Sequence, residues 1–266
     1  MSNANVTSRG ALNGNAMVFS DLDGTLLDHD GYSFEPAIPA LTALAERAIP
    51  IVPSTSKTLV ELEKLSVEIG LSDIAVAENG AAIRFADGTI DRAVTRADIF
   101  AVISDLPNSI RSCMECFCDM SIARLVALTG LDRPSAEAAA SREASEPFLW
   151  HGDAARLIDL KAQLAKHHLQ VVQGGRFFHI VPPRDKAAAM EILLARLRVR
   201  PEAWALGDGP NDVSMLLAAD RSALIANRHL DTQSLLPSDH RLYLSGREGP
   251  AGWCDAIAVF LAAQFG

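Results

Sequence analysis

Positive charge is in short supply in this chain. Its 266 residues carry 24 Lys and Arg against 33 Asp and Glu, a net charge of −9. A chain without a basic excess lacks the field that draws nucleic acid or an anionic membrane, so neither is expected as a partner. Anionic small molecules remain open, because a bound cation or a few local basic groups reverse the field inside a pocket. No uninterrupted apolar run approaches the roughly 20 residues of a membrane span. The polar stretch Met1–Asn15, rich in Asn, Ser and Gly, has no apolar segment of signal-peptide type and reads as a flexible leader, with a cytoplasmic location expected. Cysteines number only four, which suits reduced thiols. Cys113, Cys116 and Cys118 are spaced as a metal-binding cluster could be. No second Cys/His pair follows at zinc-site spacing, and buried thiols are the favoured reading. There is no internal repeat.

Apolar residues make up 49% of the chain, enough for a substantial core, and the length suits one large domain or two medium ones. The first third alternates strand and helix. Ala16–Phe19 reads as a strand and Pro36–Arg47 as a helix. Pro50–Pro53 is a second strand, Lys57–Ile69 a helix capped by Ser56, and Ile74–Ala77 a third strand. Such alternation predicts parallel strands with right-handed crossovers. The middle is irregular. Asp153–His168 reads as an amphipathic helix, and Leu169–Gln173 with Phe177–Val181 flank Gly174-Gly175 as a hairpin. Afterwards the first pattern returns: a helix over Asp185–Arg198, a strand over Ala203–Leu206, a helix over Asn211–Ala219, strands over Ser222–Ala226 and Arg241–Leu244, and a closing helix over Trp253–Phe265. The expected fold class is α/β, a parallel-sheet core with an inserted α+β cap domain. The boundaries are core at 16–83 and 184–266, cap at 84–183, and leader at 1–15.

The chemistry gathers at strand ends. Asp21 and Asp23 stand two apart where the first strand stops, and side chains at i and i+2 point the same way on extended chain. Gly24-Thr25 then turns the chain away. Ala205-Leu206-Gly207-Asp208-Gly209-Pro210-Asn211-Asp212 repeats the theme, and ligands of open parallel sheets bind at the carboxyl ends of strands. Several carboxylates in one mouth repel unless a cation joins them, and oxygen donors select Mg²⁺, which also binds substrate phosphate. Ser54-Thr55-Ser56-Lys57 sets hydroxyls and free N–H groups at a helix start, which is suited to an anion. Lys186 opens another helix, where an ammonium could neutralise a phosphoryl oxygen. For the aspartates the plain alternative is a solvated turn. Asp208 could be a helix cap, and Asp212 could cap a helix or orient Lys186.

This set resembles the haloacid dehalogenase superfamily of phosphatases. The resemblance covers four motifs in order: Asp21-Leu22-Asp23-Gly24-Thr25, the Thr55 position, Lys186, and Gly207–Asp212. It implies a Rossmann-like core. It also implies Asp21 as nucleophile, forming an aspartyl-phosphate, and Asp23 as general acid and then base. Thr55 and Lys186 would hold the phosphoryl group. Mg²⁺ would sit on Asp21, the Asp23 carbonyl and Asp208, with Asp212 or Asn211 in support. An insertion between the second and third motifs resembles the second cap class, and Asn79-Gly80-Ala81 is similar to the sugar-phosphatase branch. Within that branch the chain is most similar to the mannosyl-3-phosphoglycerate phosphatase family. The residues that carry this are Ser54–Thr58, Glu78–Ala81, Arg142–Phe148, Gly174–His179 and Gly249–Trp253, with Lys57 where the wider branch mostly has Arg and Ala251 departing from an expected Glu.

The resemblance implies hydrolysis of mannosyl-3-phosphoglycerate to mannosylglycerate and phosphate, with a small phosphorylated sugar as partner. Glucosyl-3-phosphoglycerate, sucrose phosphate and hexose phosphates are alternative substrates, and a catalytically silent phosphometabolite binder is a rival of another class. Substrate contacts are expected from Ser56, Lys57 and Asn79 on the core and from Arg142, Glu143, Ser145, Glu146, Arg176 and His179 on the cap, although charged groups at such positions are often merely solvated. Oligomeric state is not readable from the sequence.

Overall fold

The computed structural model describes residues 15–173, 177–230 and 242–265. In chain order its strands are β1 (Ala16–Ser20), β2 (Ile51–Pro53), β3 (Ala75–Ala77), β4 (Ala82–Arg84), β5 (Ile90–Arg92), β6 (Met114–Cys116), β7 (Glu146–Trp150), β8 (Gln170–Gln173), β9 (Phe178–Val181), β10 (Glu202–Gly207), β11 (Arg221–Ala226) and β12 (Tyr243–Glu248). Five of them form a wholly parallel sheet in the order β12-β11-β10-β1-β2. β1 is buried at every residue, as a central parallel strand covered on both faces must be. Its side chains divide by the period of two. Ala16 and Val18 join Trp204 and Leu206 of β10 on one face, whereas Met17 and Phe19 join Ala203 and Ala205 on the other.

Helices cover both faces. Leu44, Leu59, Leu62, Trp253, Ile257 and Phe260 come from helices over Ile38–Glu46, Leu59–Ile69 and Gly249–Phe265 on the first face. Met190, Leu193, Leu194, Met215 and Leu216 come from Lys186–Ala195 and Val213–Ala218 on the second. This is the α/β architecture with a parallel central sheet that the alternation predicts.

The insertion has a sheet of its own. β6, β7, β9 and β8 run antiparallel in that order. On one face lies a separate apolar core of Ile99 and Ile103 from Arg96–Ser104, Leu160 and Leu164 from Ala154–Ala165, and Phe148 stacked on Phe178 at 5.7 Å. The β8–β9 pairing fits the expected hairpin, while Gly174, Gly175 and Arg176 lie outside the described residues. A short antiparallel sheet, β3-β4-β5, is joined to β2 through a bridge between Ser54 and Val76. The core–cap division expected at 83/84 passes through β4.

Several expected boundaries move, two of them beside the strand ends. The helix read from Lys57 starts at Leu59, and its cap is Thr58 rather than Ser56. Thr58 Oγ1 accepts from the Glu61 N–H at 3.1 Å, while the Glu61 carboxylate accepts from the Thr58 N–H at 2.8 Å. This reciprocal box satisfies two otherwise orphaned donors and outcompetes a single serine cap. The closing helix begins at Gly249 rather than Trp253, so Gly249–Trp253 is helical. Among the described residues, no helix is long and apolar enough to cross a membrane.

Candidate active site

The carboxyl ends of β1 and β10 lie side by side, with Ser20 paired to Leu206, and the Asp21 N–H continues the ladder to the Leu206 carbonyl at 2.9 Å. Parallel register therefore delivers Asp21 and Asp208 to one place. Gly24 then turns the chain at φ 81°, and a Cβ there would lie 2.6 Å from Asp208 Oδ2, so only glycine fits. Asp21, Asp208 and Asp212 each offer a carboxylate oxygen, all within 4.8 Å of one another.

Lys186, wholly buried at the first turn of its helix, reaches into this group. Its Nζ donates to Asp21 Oδ1 at 2.8 Å and to Asp212 Oδ1 at 2.6 Å. The second oxygen of Asp212 accepts the N–H groups of Asp208 (3.1 Å) and Gly209 (3.0 Å). Both Asp212 oxygens are thus engaged in holding Lys186 and shaping the loop. Asp208 accepts from the Thr25 hydroxyl at 2.9 Å and from the Asn227 amide at 2.6 Å. Thr25 and Asn227 were not among the candidates from sequence. Asn227 follows β11, so the strand-end logic that found Asp208 would have found it too.

Three carboxylates against one ammonium leave two negative charges when all are ionised. The titration of the group reflects this. Burial, outweighing the attraction of Lys186, raises the Asp21 carboxyl well above the ordinary range. Burial and then the neighbouring Asp212 push Asp208 up to about 6. Burial opposes the charge on Lys186, but Asp21 and Asp212 more than offset it and raise its pKa. A pocket of oxygen donors with uncompensated negative charge fits a hard divalent cation. Asp21 and Asp208 are the carboxylates best placed to hold one, since Asp212 is committed to Lys186 and two amides.

Asp23 faces a different partner. Lys57 Nζ approaches its Oδ2 at 2.8 Å, and burial, which lowers the lysine pKa, is overcome by this carboxylate, so that Lys57 is raised. Asp23 Oδ1 is buried with no hydrogen-bond partner among the described residues. Thr55 sits 1% exposed beside them, its hydroxyl accepting from the Lys57 N–H at 3.2 Å. Asn79 meets Asn211 from the last loop at 3.2 Å.

The cap candidates divide otherwise than the sequence suggests. The Arg142 guanidinium donates to Ser145 Oγ (2.7 Å) and to the Ser56 carbonyl (2.7 Å). Glu143 accepts from Arg92 at 2.6 Å. Ser145 donates to Glu78 at 2.5 Å. Glu146 is wholly buried and accepts from Arg96 (3.0 Å) and from the Cys118 N–H (2.7 Å). All four are occupied by protein partners. Cys116, Cys118 and Glu146 also come within 4.8 Å of one another. With Glu146 held by a guanidinium and an amide, only two thiols remain, short of the four donors of a structural zinc site.

Among the described residues, His179 is the cap candidate left over. It lies on β9 opposite Pro147, on the sheet face away from the Phe148–Phe178 core, and its Nδ1 is buried with no partner among the described residues. Burial first, and the Arg142 charge second, bring its pKa down to about 3 from 6.5. The neutral folded form therefore contributes stability above pH 6.5 that is lost as pH falls toward 3, at up to about 1.4 kcal/mol per unit. His179→Gln should lose less stability than wild type between pH 7 and pH 5 in urea titrations. Equal losses in both proteins would contradict this account.

Residues 18–118 match the family model described as haloacid dehalogenase-like hydrolase, and residues 148–261 match that of sucrose-6F-phosphate phosphohydrolase. Solved structures share the fold over nearly the whole chain. The sucrose-phosphatase of Synechocystis sp., solved with sucrose and phosphate, is 17% identical with a TM-score of 0.66, over 93% of this chain and 98% of its own. A phosphatase of the haloalkanoate superfamily from Bacteroides thetaiotaomicron is 18% identical with a TM-score of 0.68, over 98% of each chain. A sugar phosphatase of subclass IIB is 14% identical with a TM-score of 0.65, over 93% and 98%.

Proposed function

We propose that this chain, built as a haloacid dehalogenase-like hydrolase, is a divalent-metal-dependent phosphatase of a phosphorylated sugar, with mannosyl-3-phosphoglycerate its preferred substrate. One observation carries the reading: a buried carboxylate, Asp21, faces Lys186 and Asp208, while two residues on Asp23 keeps an enclosed, unpartnered oxygen. A binding protein needs the cation and the ammonium but gains nothing from a nucleophile beside a second acid.

In this reading Asp21 attacks phosphorus. The bond from phosphorus to the sugar oxygen breaks, and Asp23 supplies that oxygen with a proton. Water then attacks the aspartyl-phosphate, Asp23 takes the water's proton, and phosphate leaves with Asp21 restored. Lys57 Nζ, 2.8 Å from Asp23 Oδ2, holds that oxygen and leaves Oδ1 as the one that handles the proton in both steps. Lys186 and Thr55 hold phosphoryl oxygens. A Mg²⁺ on Asp21 and Asp208 would screen the charge of the phosphate from the attacking carboxylate.

The narrower substrate is supported by the runs Ser54–Thr58, Glu78–Ala81, Arg142–Phe148 and Gly249–Trp253, which are similar to the mannosyl-3-phosphoglycerate phosphatase family. A sucrose phosphate is the second reading, favoured by the family match over residues 148–261. Phosphate release should be measured with Mg²⁺ on mannosyl- and glucosyl-3-phosphoglycerate, sucrose 6-phosphate and hexose phosphates. Release should cease with EDTA and return with added Mg²⁺, and kcat/KM should be highest for the mannosyl compound. No advantage for that compound removes the narrower assignment, and no release from any of them removes the phosphatase.

A further inference from the structure

Glu78 is a buried carboxylate, 1% exposed, for which the chemistry above has no use. It opens a turn in which Glu78, Asn79 and Gly80 all take positive φ, at 52°, 59° and 98°. Two of these are L side chains in a conformation they avoid, and such a turn persists only where its surroundings hold it. At Gly80 a Cβ would collide with the Asp185 carbonyl, immediately before Lys186.

Its surroundings are four separate pieces of chain. The Glu78 N–H donates to the Lys57 carbonyl at 3.0 Å and the Asn79 N–H to the Thr55 carbonyl at 2.9 Å, fastening the turn to the loop of Thr55. The Glu78 carboxylate reaches the other way. It accepts from the N–H groups of Glu143 (2.7 Å) and Ala144 (3.2 Å) and from the Ser145 hydroxyl (2.5 Å), all in the cap. The cap returns the contact, since Arg142 donates to the Ser56 carbonyl at 2.7 Å and its Nε stands 3.6 Å from Glu78. Ala144 is wholly buried in the apolar cluster of the core rather than in that of the cap. Finally, the Arg96 N–H donates to the Glu143 carbonyl at 3.0 Å, bringing in the chain that enters the cap.

We propose that Glu78 is a positioning residue that ties the base of the cap to the phosphate-holding loop, so that cap placement and the placement of Thr55–Lys57 are set together. This rests on the phosphatase reading for its kinetic consequence but not for its structural one. Glu78 touches none of the reacting groups; it acts through residues 142–145 and 55–57.

The test uses Glu78→Gln and the milder Ser145→Ala. A glutamine turns an NH₂ toward donors that now meet a carboxylate, leaving buried groups unpaired. A penalty of that kind corresponds to about tenfold or more in kcat/KM. With the preferred sugar phosphate, kcat/KM should fall by that factor, mostly through KM. With p-nitrophenyl phosphate, which gives the cap no sugar to enclose, kcat/KM should also fall, through the displaced Thr55 loop, but by about threefold less. Ser145→Ala should shift both ratios the same way by less. A fall on one substrate alone, or no change on either, would overturn the tie. Hydrogen exchange needs no turnover and separates this idea from the enzyme assignment. Ser145→Ala should speed exchange at 55–58 as well as at 142–145. Faster exchange at 142–145 alone would sink the proposal even in a protein without phosphatase activity, whereas an inactive wild type with coupled exchange would count only against the phosphatase reading.

Discussion

Asp21→Asn should reduce phosphate release by on the order of 10⁴-fold or more, since an amide cannot form the aspartyl-phosphate and no neighbouring group replaces it. The position tolerates the change sterically. Asparagine has the same shape, and the native carboxyl is already drawn toward its neutral form by burial. The folded structure should therefore survive, and thermal denaturation would show whether it does. A second measurement makes the result specific. Wild type quenched in acid during turnover should carry one phosphoryl group on the peptide containing Asp21, and the variant none. Activity within about tenfold of wild type, or a phosphoryl group on another residue, would remove Asp21 from the role proposed for it.

Lys186→Met should be the most destabilising single change in the site. The ammonium lies between Asp21 and Asp212 at 2.8 and 2.6 Å, and all three side chains are buried. Removing it leaves two carboxylates without their cation, which typically costs about 3–5 kcal/mol. The sign of the pH dependence follows. In the variant Asp21, already raised by burial, loses the lysine attraction that opposed the rise, so its protonation favours the folded form. The deficit relative to wild type should therefore shrink as pH falls from 7 to 5. Adding Asp212→Asn should recover part of the stability but none of the activity. Urea denaturation of the two variants checks both statements. A deficit below about 1 kcal/mol, or one that widens in acid, would mean that the lysine is not the charge holding this group together.

Why some of this was legible in the sequence and some was not is a matter of range. Asp21, Asp23 and Asp208 could be read because strand, carboxylate and glycine turn are consecutive, and a parallel sheet sends all its strand ends to one side. Lys186 could be read as a cation at a helix start, but nothing local says that a lysine opening a helix points at an aspartate 165 residues earlier. Thr25 and Asn227 are joined only by Asp208, across 183 and 19 residues. The cap was harder for another reason. Arg142, Glu143, Ser145 and Glu146 fall where a helix ends and a strand begins, so no period tells which way each side chain faces. Glu146 proves to point inward to Arg96, and Arg142 toward the core. The Thr58 cap, by contrast, was available in the sequence, since Thr58 and Glu61 are spaced as a capping box.

The same division bears on how such a protein can change over generations. The groups around Asp21 are fixed by backbone pairing between neighbouring strands of the core sheet, and residues 142–146 are held by the contacts that seat the cap. Neither set can vary freely. On the face of the cap sheet away from its own apolar core, Pro147, His179 and Val172 stand as cross-strand neighbours. If His179 meets the sugar as the resemblance implies, substitutions on that face alter which molecule fits while the strand ends keep their register. A lineage can thus explore new substrates along β7, β8 and β9 while inheriting its reaction unchanged.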